Sequence, residues 1–104
     1  KYRIKYTPSA NKDLQNIQTY ISQELSNPSA ASKLISKILQ KCESLTLFPK
    51  GSPVRLTSHG RPIRFLNTAN YIIAYTIDEP KQIVYIRAIL YNRRNLPQVI
   101  PSRI

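Results

Sequence analysis

The strongest constraint on the fold of this chain is a change in hydrophobic periodicity along it. Residues 1–6 alternate tyrosine or isoleucine with lysine or arginine, which is the period of two expected for a half-buried strand. Residues 8–45 carry apolar side chains at steps of three and four, and residues 63–90 return to strand-like runs. A strand, a helical region and a sheet region are therefore predicted in that order.

Two helices are predicted in the helical region. Thr7 and Asn27 each precede a proline, and such a pair is typical of an N-cap residue followed by the first helical position. The first helix is predicted to end at about Leu25 and the second at about Leu45. Their apolar stripes are Ala10, Leu14, Ile17 and Ile21, and Ala31, Leu34, Ile35, Ile38, Cys42 and Leu45. Because the turn between them is short, they should form an antiparallel hairpin.

The second half of the chain favours strands. Three runs, Ile63–Leu66, Tyr71–Ile77 and Ile83–Leu90, are rich in β-branched and aromatic residues, and their tight spacing indicates an antiparallel meander. The middle run is apolar on both faces, so it should lie inside the sheet. Residues 48–62 contain three prolines and two glycines and are predicted to form a loop with at most one short extended piece.

These elements define an α+β fold. The N-terminal strand and the three-stranded C-terminal meander should form a small antiparallel sheet, packed against the N-terminal helical hairpin. A chain of 104 residues has room for one core, so residues 1–104 are predicted to form a single domain. The tail, residues 96–104, is expected to be weakly ordered.

The cysteine and histidine content limits the chemistry. Cys42 and His59 are the only residues of their types, so neither an intramolecular disulfide nor a Cys/His zinc site can form, and no cofactor is expected. Cys42 lies on a helical apolar stripe and should pack in the core. His59 lies in the loop and should be either solvated or an acid–base group. With no membrane span or signal sequence evident, a cytoplasmic protein is expected.

The net charge indicates the class of partner. Sixteen Lys and Arg face only five Asp and Glu, for a formal charge of +11, which favours a polyanion or an acidic protein. Residues 51–104 carry seven of the arginines and only Lys81. Because guanidinium groups form planar forks that match phosphate and carboxylate, this half is predicted to make the directed contacts.

The end of the last strand concentrates these side chains. Simple alternation places Arg87 and Tyr91 on one face, beside Arg93 and Arg94 where the strand ends. We expect these residues to form one surface together with Arg64. The alternatives are a tyrosine that closes the sheet edge and a solvated basic cluster.

The order of elements and several short stretches resemble the RelE/ParE superfamily of bacterial type II toxin–antitoxin toxins, which includes plasmid stabilisation proteins. The stretches are YTPSANKDLQNIQTYI, NPSAASKLISKI, LTLFPKGSPVR, NYIIAYTID and VYIRAILYNRRN. Together they cover nearly the whole chain. The resemblance implies a growth-arresting toxin held silent by a cognate antitoxin, which should be acidic.

Two mechanisms are known in this superfamily. RelE-like members are metal-independent nucleases that cut messenger RNA on the ribosome, and ParE-like members poison DNA gyrase without being enzymes. For a nuclease, the candidate catalytic residues are Arg87, Tyr91 and Arg94. For either target, the candidate binding residues are Arg61, Arg64, Arg87, Arg93 and Arg94.

One position departs from the nuclease pattern. RelE-like nucleases commonly have an arginine after the aromatic residue that opens the middle strand, and this chain has Ile72 there. Together with the long helical hairpin, this favours gyrase over the ribosome as the target. A non-toxic nucleic-acid-binding module is the remaining alternative, since arginine alternates with aromatic residues in the last strand.

Overall fold

In the computed structural model, which describes residues 1–92, the chain begins with strand β1 (Arg3–Tyr6) and two helices. Helix α1 (Pro8–Thr19) continues into a π-helical turn, Tyr20–Glu24. Helix α2 (Pro28–Glu43) continues into a 3-10 turn, Ser44–Thr46. The helical region thus extends about as far as predicted, but the last part of each helix has a different pitch.

Both helices begin at the predicted caps. The Thr7 hydroxyl accepts a hydrogen bond from the Ala10 N–H at 3.2 Å, and the Asn27 side chain accepts one from the Ala30 N–H at 3.1 Å. A proline occupies the first turn of each helix, where its missing N–H leaves no hydrogen bond unmade. Each cap is worth about 1 kcal/mol.

The sheet has five strands in the order β1-β5-β4-β3-β2. β2 (Val54–Ser58), β3 (Arg61–Thr68), β4 (Tyr71–Asp78) and β5 (Ile83–Tyr91) form an antiparallel meander. The α+β class and the helical hairpin are confirmed, and β4 lies inside the sheet as predicted.

The short extended piece predicted within residues 48–62 is β2. A tight turn at His59 and Gly60, with φ of 53° and 75°, joins it to β3 between the paired residues Ser58 and Arg61. Positive φ at both central residues is the geometry of a two-residue hairpin turn. One detail differs from the predicted antiparallel sheet, because β1 runs parallel to β5. The long connection between them, through two helices and three strands, allows this arrangement.

The main core lies between the helices and one face of the sheet. Its fully buried residues include Ile38 and Cys42 from α2, Tyr75 from β4, and Val84 and Ile86 from β5. The burial of Cys42 confirms its predicted place on the apolar stripe. No helix within residues 1–92 is long and apolar enough to cross a lipid bilayer.

The opposite face of the sheet carries a smaller apolar cluster. Its buried members, Ile63, Ile72, Ala74 and Ala88, all come from strands. We call this face the strand face, and the face that packs on α1 and α2 the helix face.

A β-bulge interrupts the pairing of β4 with β5. Ala74 pairs with Ala88, but the next residue of β4, Tyr75, pairs with Ile86. Arg87 is therefore an extra residue with no partner opposite it in β4, and such a residue shifts the alternation of the side chains that follow.

The residues of β5 that belong to each apolar cluster show this shift in alternation. Ile86 belongs to the helix-face cluster, Ala88 to the strand-face cluster, and Ile89 to the helix-face cluster again. Without the bulge, Ile86 and Ala88 would share one face. Beyond Arg87, each residue of β5 therefore lies on the face of the sheet opposite to the one that strict alternation would give it.

Candidate functional site

The bulge residue Arg87 is held by two neighbours on the strand face. Its Nε donates a hydrogen bond to the Thr76 hydroxyl at 2.9 Å, and its guanidinium carbon lies 5.1 Å from the centre of the Tyr85 ring. Burial lowers the pKa of Arg87, and the positive charge of Arg61 lowers it further. We call Arg61, Thr76, Tyr85 and Arg87 the arginine cluster.

The arginine cluster borders a shallow depression of about 360 Å³. Asp78 and Glu79 also line it, so its rim carries both signs of charge. Glu79 is engaged elsewhere, because it accepts hydrogen bonds from the Tyr2 hydroxyl and pairs with Lys50 at 3.2 Å. These two contacts, the tyrosine first, lower the pKa of Glu79. Within the described part of the chain, no carboxylate forms an ion pair with Arg61 or Arg87, which leaves the guanidinium groups of the cluster open to an external anion.

Arg64 does not join this cluster. It pairs with Tyr75 across β3 and β4, and paired residues lie on the same face, here the helix face. Its Nη1 donates to the Ser52 carbonyl at 2.5 Å and to the Lys50 carbonyl at 3.3 Å. Arg64 thus braces the loop before β2, together with the Tyr75 hydroxyl, which donates to the Pro49 carbonyl at 2.6 Å.

Tyr91 also lies away from Arg87. It pairs with Tyr71, whose side chain packs against the helix-face core, and the two rings meet edge to face at 5.6 Å between centroids and 86° between planes. The expectation that Arg87, Tyr91 and Arg64 form one surface is therefore wrong. The bulge at Arg87 moves Tyr91 to the helix face, and strand alternation does the same for Arg64.

Tyr91 instead lines a cleft of about 560 Å³ between α1 and the ends of β4 and β5. We call it the tyrosine cleft. Its lining residues are Asp13, Asn16, Ile17, Tyr20, Tyr71, Ile89, Leu90 and Tyr91. Burial raises the pKa of Tyr71, and the neighbouring phenols of Tyr91 and Tyr20 add to this effect.

Apart from Tyr91, these cleft residues were not predicted from the sequence. The sequence does indicate where two of them lie, because Asp13 and Tyr20 directly precede Leu14 and Ile21 of the predicted apolar stripe. Both therefore border the buried face of α1 and of the turn that continues it, where this helical region meets the sheet.

Asp13, which lines the cleft, also forms a hydrogen bond with strand β5. β1 ends at Tyr6, opposite Ile86, so within the described part of the chain the rest of β5 has a strand neighbour only in β4. The Asp13 carboxylate accepts a hydrogen bond from the Ile89 N–H at 2.9 Å. A side chain of α1 thus satisfies a backbone donor that β1 does not reach.

The remaining predicted residues have other surroundings. His59 lies in the β2–β3 turn, with its Nδ1 3.1 Å from the Ser58 hydroxyl. Burial raises the pKa of Cys42 to about 12. Residues 1–92 contain no group of His, Cys, Asp or Glu side chains arranged to hold a metal ion. Arg93, Arg94 and the tail 96–104 lie outside the described residues.

Comparison with known proteins gives a family and a fold. A family model described as ParE toxin of type II toxin-antitoxin system, parDE, matches residues 4–96. No curated protein gives a significant sequence match.

Three solved structures share the fold at low sequence identity. One is from the chromosomal ParDE system of Pseudomonas aeruginosa, with a TM-score of 0.72, 18% identity, and coverage of 88% of this chain and 97% of the other. The second is from the RelBE2 toxin–antitoxin complex of Mycobacterium tuberculosis, with a TM-score of 0.66, 15% identity, and coverage of 88% and 98%. The third is the isolated RelE toxin of Escherichia coli, with a TM-score of 0.59, 11% identity, and coverage of 99% and 97%.

The family model spans almost the whole chain, from β1 through the bulged strand β5. This chain therefore belongs to the ParE toxin family of type II toxin–antitoxin systems.

Proposed function

We propose that this toxin arrests growth by binding and poisoning DNA gyrase, and that it does not cut messenger RNA. The observation that carries the proposal is the separation of Arg87 from Tyr91 by the bulge. Metal-free RNA cleavage needs a proton donor or acceptor beside the groups that stabilise the charged phosphorane. Arg87 contacts the strand face and Tyr91 the helix face, and this separation supports a function other than cleavage by this pair.

Ile72 supports the same proposal. RelE-like nucleases commonly have an arginine at the corresponding place, and Ile72 is here a buried member of the strand-face apolar cluster. A cation at this position would lie in apolar surroundings and lose hydration. The strand face therefore has no phosphate-binding group at this position, which supports the proposal.

The arginine cluster is the proposed contact with the target. Arg61 and Arg87 repel each other, which lowers the stability of the fold unless an anion lies between or beside them. Gyrase would supply either acidic side chains or the phosphates of its bound DNA. Arg93 and Arg94, which follow β5 in the sequence, are proposed as further contacts.

We also infer a cognate antitoxin. One of the similar structures is described as a toxin–antitoxin complex and another as part of a ParDE system. The charge of +11 favours an acidic antitoxin, because opposite charge accelerates association and suppresses wrong partners.

One observation favours ribosome-dependent cleavage as a second candidate. Tyr85 lies beside Arg87 on the strand face, so a phenol and two guanidinium groups do meet there. In that case Tyr85, and not Tyr91, would be the acid or base. Tyr85→Phe should then abolish cleavage of messages while the protein stays folded.

Expression of the toxin in cells from an inducible promoter distinguishes the two candidate functions. Gyrase poisoning predicts cleaved plasmid DNA and intact messages, read by gel electrophoresis of the plasmid and by primer extension of the messages. Messages cut within codons, together with normally supercoiled plasmid, would contradict the proposal. Normal growth with soluble toxin would contradict both candidates and favour a nucleic-acid-binding module.

A further inference from the structure

The most exposed large apolar side chains of the described residues lie in one loop. Phe48 is 75% exposed and Leu47 is 63% exposed, and both belong to the segment between the 3-10 turn and β2. We call these two residues the apolar tip. A single exposed leucine is ordinary on a protein surface, but two adjacent large apolar side chains on one loop indicate an interaction site.

The loop that carries the apolar tip is held in place by side chains of the sheet. The buried Tyr75 hydroxyl donates a hydrogen bond to the Pro49 carbonyl at 2.6 Å, and Arg64 donates to two carbonyls further along the loop. Within the loop, the Gly51 N–H donates to the Phe48 carbonyl at 3.2 Å and closes a turn. Because these bonds fix the backbone, binding through the tip costs less conformational entropy than binding through a free loop.

Glu79 connects the apolar tip to the arginine cluster. It lines the depression that the arginine cluster borders, and its carboxylate accepts a hydrogen bond from the Tyr2 hydroxyl at 2.9 Å and pairs with Lys50 at 3.2 Å. Tyr2 and Lys50 line a second depression of about 360 Å³, which both residues of the tip also line. The two depressions are therefore neighbours at the end of the sheet where β4 turns into β5, and one partner can cover both.

The surroundings of the apolar tip favour a protein over DNA as its ligand. Among the described residues that line the second depression, Lys50 is the cation, and it is paired with Glu79. Apolar side chains that enter DNA between its bases stand among cations that bind the neighbouring phosphates, and those lining residues supply no unpaired cation. Aromatic anchors beside arginine side chains are instead typical of the energetic centre of a protein interface.

We propose that the apolar tip inserts into an apolar pocket on the gyrase protein, next to acidic side chains of gyrase that the arginine cluster binds. This placement rests on the proposed function and specifies it, because the gyrase protein and not its bound DNA then supplies the contact. Carboxylates beside the pocket complement the charges of Arg61 and Arg87, while the pocket removes both residues of the tip from water.

The test compares Leu47→Ala and Phe48→Ala with Leu25→Ala as the matched control. Leu25 is 57% exposed and lines neither of the two depressions. The probes are purified gyrase alone, gyrase with a short DNA duplex, and the duplex alone, each titrated against immobilised toxin that is free of antitoxin. Antitoxin affinity is measured by calorimetry and oligomeric state by analytical ultracentrifugation, and thermal unfolding confirms that each variant is folded.

We expect Leu47→Ala and Phe48→Ala each to weaken the binding of gyrase alone about tenfold or more, and Leu25→Ala to bind within about twofold of wild type. The affinity for the duplex alone should be the same in all of these variants. Added salt should leave the loss in Phe48→Ala unchanged, because an apolar contact is not screened. The loss in the double variant Arg61→Ala, Arg87→Ala should instead shrink as salt is added.

Unchanged gyrase affinity in Phe48→Ala, or an equal loss in Leu25→Ala, would overturn this placement of the tip. Weakened binding of the duplex alone, or wild-type toxin that binds gyrase only with DNA, would assign the tip to DNA. A loss confined to antitoxin affinity would assign it to the antitoxin, and a toxin dimer that Phe48→Ala separates would assign it to a second copy of the chain. Wild-type toxin that binds gyrase neither alone nor with DNA would contradict the proposed function as well, so the two proposals fail in distinguishable ways.

Discussion

The carboxylate of Asp13 on α1 accepts a hydrogen bond from the backbone N–H of Ile89 on β5, at 2.9 Å. This buried contact fixes α1 on the part of the sheet that β1 does not reach. Tyr20, which directly follows α1, lies opposite the ends of β4 and β5. This carboxylate therefore helps to hold α1 beside the strand ends that line the tyrosine cleft.

Asp13→Ala should destabilise the fold. The change leaves the Ile89 N–H buried without its acceptor, which costs about 1–3 kcal/mol. Asp13→Asn keeps an acceptor of the same size and should cost less. Chemical denaturation at neutral pH measures both, and equal stability of Asp13→Ala and wild type would show that water replaces the carboxylate.

A second change should stabilise the fold. Ala69 in the β3–β4 turn has φ of 50°, a left-handed conformation that disfavours any residue with a Cβ. Ala69→Gly removes this strain, offset by the greater freedom of glycine in the unfolded chain. We expect a net gain of about 0.5 kcal/mol in the free energy of unfolding, and Gly60→Ala, with φ of 75°, should change it in the opposite direction.

The stability of the toxin should fall in mild alkali. Burial raises the pKa of Cys42 from 9.0 to about 12, so between these values the unfolded thiol loses its proton while the folded thiol keeps it. Stability is then lost as pH rises through the unfolded pKa, by about 1.4 kcal/mol at pH 10 relative to pH 7.

Cys42→Val provides the control for this effect. It removes the titrating thiol and should flatten the decline between pH 8 and about pH 10, whatever its effect on absolute stability. The tyrosines whose pKa is raised by burial, including Tyr6 and Tyr71, should contribute only above about pH 10. An unchanged slope in Cys42→Val would assign the alkaline sensitivity to other groups.

The arginine cluster should matter for the target and Tyr91 should not. Arg61→Ala with Arg87→Ala should weaken gyrase poisoning about tenfold or more, since each guanidinium can supply paired hydrogen bonds to an anion. Tyr91→Phe should have little effect, because its hydroxyl lies on the other face. Dose–response curves of purified variants in a DNA-cleavage assay compare them, and Arg64→Ala reports the effect of loosening the loop alone.

The elements that sequence analysis predicted well are those set by local interactions. The caps at Thr7 and Asn27 and the apolar stripes of α1 and α2 involve residues within a few positions of each other, so the sequence contains the whole signal. β2 was predicted only as a short extended piece within a loop, without bounds or a pairing partner, because prolines and glycines dominate its surroundings.

The candidate site was harder to predict because it depends on pairing between distant segments. The residues of β5 change faces at Arg87 because of the register in which β5 pairs with β4. The sequence of β5 alone does not reveal such a bulge. The tyrosine cleft likewise combines Tyr20, Tyr71 and Tyr91 from three elements. Only the fold brings them together.

The central claim, that the target is gyrase, is tested most directly with purified gyrase and supercoiled plasmid. The antitoxin-free toxin is added with ATP, the protein is denatured and digested, and broken DNA is quantified. We predict that plasmid DNA accumulates in a cleaved form in proportion to the toxin. Intact, normally supercoiled plasmid in the presence of folded toxin that cuts messages on ribosomes would contradict the account.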